Sequence, residues 1–243
     1  MHRAAAISCP PHRLEDDRKC IPYVEDKDIA GIGFSLYTWT DPDTLPDSAI
    51  PAADPGYLEP LQAAAVKSLP VYASLMKTKV KAINVYLTDD SPKGLAPRGV
   101  TDFMDTNPSV CSIRITGIGM NEKSDDIKSV QQTLAHELYH CVQKIFGISR
   151  LGRDHSDWWF EGSTEYFANV FYPNTVPDHM ADCFFLDCQL FNQTQATSSY
   201  KTALFFQNLS NTFTPGKAIH DWVVARRDTF SLTIRDEQRR LSF

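Results

Sequence analysis

At Ser124 the apolar period of this chain changes from two residues to about 3.6, and nothing else in the sequence constrains the fold as strongly. Beyond that point Ile127, Val130, Leu134, Leu138, Cys141 and Ile145 follow one another at spacings of three or four. They form one apolar stripe on a helix of about six turns. Ser124 suits its N-cap, Asp125 and Asp126 suit its positive end, and Gly147 can stop it. Three further helices are expected, from about Asp157 to Phe171, Ser199 to Asn208 and Lys217 to Arg227.

Upstream, Ile32–Trp39, Val80–Thr88 and Cys111–Met120 alternate as strands do. In the last of these Cys111, Ile113 and Ile115 share one face, with Ser112, Arg114 and Thr116 on the other. Leu58–Met76 has helical spacing, with an interruption or kink expected at Pro70. Asp41–Gly56 and Asp89–Val110 carry several Pro and Gly and read as loops, residues 1–30 as an irregular arm, and Thr229–Arg235 as a candidate last strand. Strands first and helices later define an α+β class. The chain reads as a single domain, 1–243, with an N-terminal arm and strand (1–56), a sheet region (57–123) and a helical region (124–243).

Composition excludes several function classes. Fourteen Phe, nine Tyr and four Trp in 243 residues supply too much apolar area for a disordered chain. No apolar run approaches the ~18 residues of a membrane span. A net charge of −6 offers no basic patch for nucleic acid or an anionic membrane.

Six cysteines permit three disulfides. Cys9/Cys20 and Cys183/Cys188 are close enough to close local loops, whereas Cys111 and Cys141 lie in apolar contexts that suit buried free thiols. No Cys-x-x-Cys occurs, so neither a zinc ribbon nor a thioredoxin-type pair is supported. Ala6-Ile7-Ser8-Cys9 faintly resembles the end of a bacterial lipoprotein signal, and Asn192 and Asn208 stand in glycosylation sequons. Together these lean towards an exported protein, extracellular or periplasmic.

The long helix carries His136-Glu137-Leu138-Tyr139-His140. Residues i and i+4 share a helical face, so both imidazoles can converge on one ion. Glu137 projects about 100° away, within reach of a metal-bound water. A catalytic zinc usually takes three protein ligands and keeps one open position. The metzincin arrangement fails here, because Gln143 and Phe146 stand where its Gly and His would be. Instead Glu161 lies twenty residues beyond His140, in Trp158-Trp-Phe-Glu-Gly-Ser-Thr-Glu-Tyr-Phe, with Glu165 at i+4. Glu161 can ligate the ion, and Glu165 can accept the free ring N–H of a ligand histidine. Only eight Glu occur in the chain, and three of them fall between 137 and 165.

H-E-x-x-H followed by W-x-x-E-G-x-x-E-Y resembles the gluzincin zinc metallopeptidases, the clan of thermolysin, M1-type aminopeptidases and bacterial collagenases. The resemblance covers residues 124–171, and 80–120 fits the mixed sheet that such enzymes place beside the active-site helix. The chain lacks both the G-x-M-E-N segment of the aminopeptidases and thermolysin's N-E-x-x-S-D, so the likeness is to the clan and not to a named family. It implies a zincin-like fold and one catalytic zinc on His136, His140 and Glu161. Glu137 is then the general base in hydrolysis of a peptide or protein substrate. For the oxyanion donor it leaves Tyr200, His220, His155 and Tyr166 open, with Tyr200 preferred. Cys111–Met120 could pair with an extended substrate as an added strand.

Plainer readings stand beside these. The histidines can be a solvated pair, Glu165 a surface carboxylate, Trp158-Trp-Phe core packing, Tyr200 and His220 ordinary helix positions, and His155 and His179 exposed loop residues. The rival functions are a zinc-binding but inactive structural or inhibitory module, and a zinc hydrolase of a non-peptide amide.

Overall fold

The alternating segments build one mixed sheet. In the computed structural model the described residues are 7–8, 19–40, 55–76, 79–87, 99–104, 107–115, 127–148, 157–173, 203–212 and 219–225. Six strands, β1 (Ile7–Ser8), β2 (Lys19–Ile29), β3 (Ile32–Thr40), β4 (Ala82–Leu87), β5 (Gly99–Met104) and β6 (Asn107–Ile115), lie in the order β1-β2-β3-β4-β6-β5. The β3–β4 and β4–β6 pairs are parallel and the others antiparallel. The helices are α1 (Pro55–Met76), α2 (Ile127–Ile145), α3 (Asp157–Phe171) and α4 (Ala203–Thr212), with a helical stretch at 219–225. This is the expected α+β class. Among the described residues, no helix is long and apolar enough to cross a membrane.

The chain packs as two units, Met1–Val142 and Gln143–Phe243, which divide within α2. In the first, the register aligns three rows across the sheet: Phe34–Ile83–Cys111–Phe103, Leu36–Val85–Ile113–Thr101 and Thr38–Leu87–Ile115–Gly99. This face is apolar and buried in β3, β4 and β6. The helix α2 lies on it, tied to β6 through Cys141 and Cys111. Tyr72 of α1 meets Tyr139 of α2 with ring centroids 5.8 Å apart, and Gln131 donates to the Pro60 carbonyl. The other face carries Ser35, Tyr37, Tyr86 and Ser112, also buried, with Tyr37 stacked on Tyr86 at 5.4 Å.

In the second unit, α3 buries Phe160, Phe167, Ala168 and Phe171 and packs against α4. Phe206 of α4 meets Trp222 edge-on at 6.0 Å.

Three elements differ from expectation. Residues 19–29 are not an irregular arm but β2. A bulge between Val24 and Lys27, with Asp26 at φ 45°, breaks its alternation, and the charged residues there face solvent. Asp89–Val110 is not one loop, because β5 and the start of β6 lie inside it. Pro108 is tolerated next to the beginning of its strand, where a missing N–H costs little. Finally, of the interruption or kink expected at Pro70 the interruption does not occur, and α1 is one helix through that residue. Pro70 and Val66, whose carbonyl loses its helical partner, are both exposed, so water can serve that oxygen.

The expectations for residues 199–202, for Thr229–Arg235 and for most of Asp41–Gly56 lie outside the described residues.

Candidate metal centre

Helix α2 owes its place to the stripe read from its sequence. Val130, Leu134, Leu138 and Cys141 are buried, while Ile127, at the open first turn, is half exposed. Cys111 and Cys141 are not the free thiols that their apolar surroundings suggested. Each sits on the inward side of its own element, so the two meet as a disulfide with Cα atoms 6.0 Å apart. Cys20 is also disulfide-bonded, whereas Cys9, Cys183 and Cys188 lie outside the described residues. At its other end α2 closes as Gly147 enters the left-handed region at φ 68°. The Ile148 and Gly147 amides then donate to the carbonyls of Gln143 and Lys144.

Glu137 stands one turn before Cys141 on the same helical face, so the geometry that seats the disulfide on β6 carries Glu137 over β5. Its carboxyl is buried, and Thr101 Oγ1 lies 2.5 Å from Oε2 and 2.9 Å from the Glu137 carbonyl. Oε1 lies against Gly99 so closely that a Cβ there would stand 2.5 Å from it. Neither Gly99 nor Thr101 was found from the sequence. The one available signal was that Glu137 precedes Cys141 by four residues, on the buried side of the stripe.

His136 and His140 share the neighbouring face of α2. It is not open, since each histidine is only 7% exposed, and the solvated pair is thereby replaced by two buried rings. Their Nε2 atoms face each other at 3.1 Å, with the rings edge to face at 81°. Two imidazoles on one tetrahedral ion, at bond lengths of about 2.0–2.1 Å, hold their nitrogens about 3.3 Å apart. The pair therefore has the spacing of two ligands to one ion.

The donor atoms of His136, His140 and Glu161 all lie within 4.8 Å of one another, and this group could hold a metal ion. Glu161 is in the first turn of α3 and half buried. Gln143, where metzincins carry glycine, has a different task here. Its side-chain amide donates to the Phe160 carbonyl at 2.8 Å and to Ser163 Oγ at 3.0 Å, fastening the last turns of α2 to the start of α3. Thr164 Oγ1 donates to the same carbonyl at 2.8 Å.

Glu165 is buried one turn beyond Glu161, on the same face of α3, which does not suit a surface carboxylate. Tyr166 is buried with its ring against Phe167, and His220 is buried with its ring 4.8 Å from Phe146. Tyr200, His155 and His179 lie outside the described residues. The substrate-pairing expectation is corrected: β6 lies between β4 and β5, so the outer strand at that end of the sheet is β5. Compared with models of known protein families and with curated proteins, the chain matches none.

Proposed function

We propose that the protein is a zinc-dependent metallopeptidase with a zincin-like fold. One observation carries the reading: two buried imidazole nitrogens 3.1 Å apart, grouped with the Glu161 carboxylate, beside a buried Glu137. Two imidazoles and one carboxylate are a donor set that zinc accepts, and it leaves a fourth position open. A zinc ion bound there would supply Lewis-acid polarisation and a nucleophile available at neutral pH.

The chain's own residues do the rest. His136, His140 and Glu161 hold the ion. Thr101 occupies Oε2 of Glu137, and Oε1 has no hydrogen bond among the described residues, which leaves it to take a proton. Glu137 accepts that proton as water attacks the peptide carbonyl and passes it to the departing amine. An extended peptide would lie along β5, whose outer edge runs past Gly99 and Thr101, as an added strand. The disulfide between β6 and α2 supports an oxidising compartment, extracellular or periplasmic.

The test is digestion of a peptide library with and without a chelator, alongside metal analysis. The expected result is about one zinc per chain and cleavage that stops on chelation and returns with zinc. A chain purified gently without metal would overturn the assignment. Zinc without cleavage would favour the inactive module or the non-peptide amide hydrolase.

A further inference from the structure

From the contacts of Glu137 we infer that Gly99 and Thr101 of β5 are positioning residues that aim the carboxylate of the general base. The inference rests on the metallopeptidase reading for the meaning of Glu137, but the contacts that carry it stand by themselves.

A glutamate has three side-chain torsions, and burying it does not choose among them. Here two neighbours on one strand do. Thr101 has one hydroxyl proton and finds two acceptors, both belonging to Glu137, the carboxylate Oε2 at 2.5 Å and the main-chain carbonyl at 2.9 Å. The shorter contact has the length of a charge-assisted O–H···O bond, and it links the carboxylate to the residue's own backbone through one bridging atom. Two residues before it, Gly99 leaves room for the carboxylate by having no side chain. Oε1, Cγ and Cδ of Glu137 lie 2.5, 2.6 and 2.8 Å from where a Cβ would be, so any side chain at 99 would push the carboxylate out of its seat. Residues 99 and 101 point to the same face because a strand alternates, and that is the face on which α2 lies. A hydrogen bond fixes one oxygen and a missing side chain makes room for the other. Among the described residues, Oε1 is the carboxylate oxygen left without a hydrogen bond.

Three variants, T101V, T101S and G99A, are compared as zinc-loaded full chains. T101V keeps the shape of threonine without its donor. T101V and G99A are expected to retain about one zinc per chain and the wild-type KM, while kcat falls about 10- to 100-fold. T101S, which keeps the hydroxyl, restores most of the rate. Wild-type kcat in T101V, or zinc lost in step with rate, would overturn the inference.

A double-mutant cycle of T101V with E137A, read by denaturant unfolding, tests the same contact without turnover. Non-additivity of about tenfold in the unfolding constant supports it, and additive effects refute it. If the wild-type chain cleaves no peptide, the metallopeptidase reading falls, while the cycle still decides whether Thr101 holds Glu137.

Discussion

Glu137 and Glu165 are both carboxylates buried on helices, and their expected losses differ in kind. Glu137 is proposed to move a proton and not to hold the ion. Glu137→Gln should therefore keep about one zinc per chain while hydrolysis falls by several orders of magnitude. Metal analysis and turnover on the same sample check this, and unchanged turnover would remove Glu137 from the reaction. Glu165 stands one turn beyond Glu161 and is proposed to orient a ligand histidine. Glu165→Ala should weaken zinc affinity about 10- to 100-fold, measured by competition with a chromophoric chelator. Wild-type affinity would return Glu165 to simple packing. The types and spacings of His136, Glu137, His140, Glu161 and Glu165 were legible in the chain because helical periodicity converts sequence separation directly into a shared face. Gly99 and Thr101 were not, since they reach Glu137 from 36 or more residues away in sequence, inside a stretch whose Pro and Gly concealed a strand.

At the scale of elements, the placement of α2 on the sheet decides what the site can be. The Cys111–Cys141 link closes a loop of 30 residues between β6 and the turn that follows His140. By chain entropy such a cross-link stabilises the fold by about 3 to 4 kcal/mol. Replacing both cysteines by alanine should lower the denaturant midpoint accordingly, and an unchanged midpoint would mean that packing alone holds α2. Two residues beyond Cys141, Gln143 fastens the last turn of α2 to the start of α3 through the Phe160 carbonyl and Ser163 Oγ. The long periodic elements α2 and α3 were legible to within a few residues. β2 and β5 were not, because a bulge breaks the alternation of one and the Pro and Gly around the other make its surroundings read as a loop.

For the whole molecule, the polar face of the sheet leads to a dependence on pH. Burial pushes the Tyr86 phenol well above its ordinary range, and Tyr37 beside it adds to the rise. Burial also raises Tyr37, and Tyr172 in the second unit. In the unfolded chain these phenols ionise near pH 10, while in the folded chain they stay neutral. The unfolded state then binds fewer protons, so stability is complete below about pH 10 and is lost as pH rises towards the folded values. Thermal unfolding at pH 8 and pH 11 should show a large fall in Tm for the wild-type chain and a smaller one for Tyr86→Phe. Equal falls would mean that this pair contributes nothing to alkaline unfolding.

The sequence by itself determined the class of fold, the two helices that matter most and the five residues of the proposed centre, because these depend on periodicity, which is local. Only the tertiary structure decided that β6 is interior and β5 outermost, that two apparently free cysteines meet, that the histidine face is buried, and that a glycine and a threonine seat Glu137. Each of these depends on which strand lies beside which, and pairing between distant segments leaves no periodic trace in the chain.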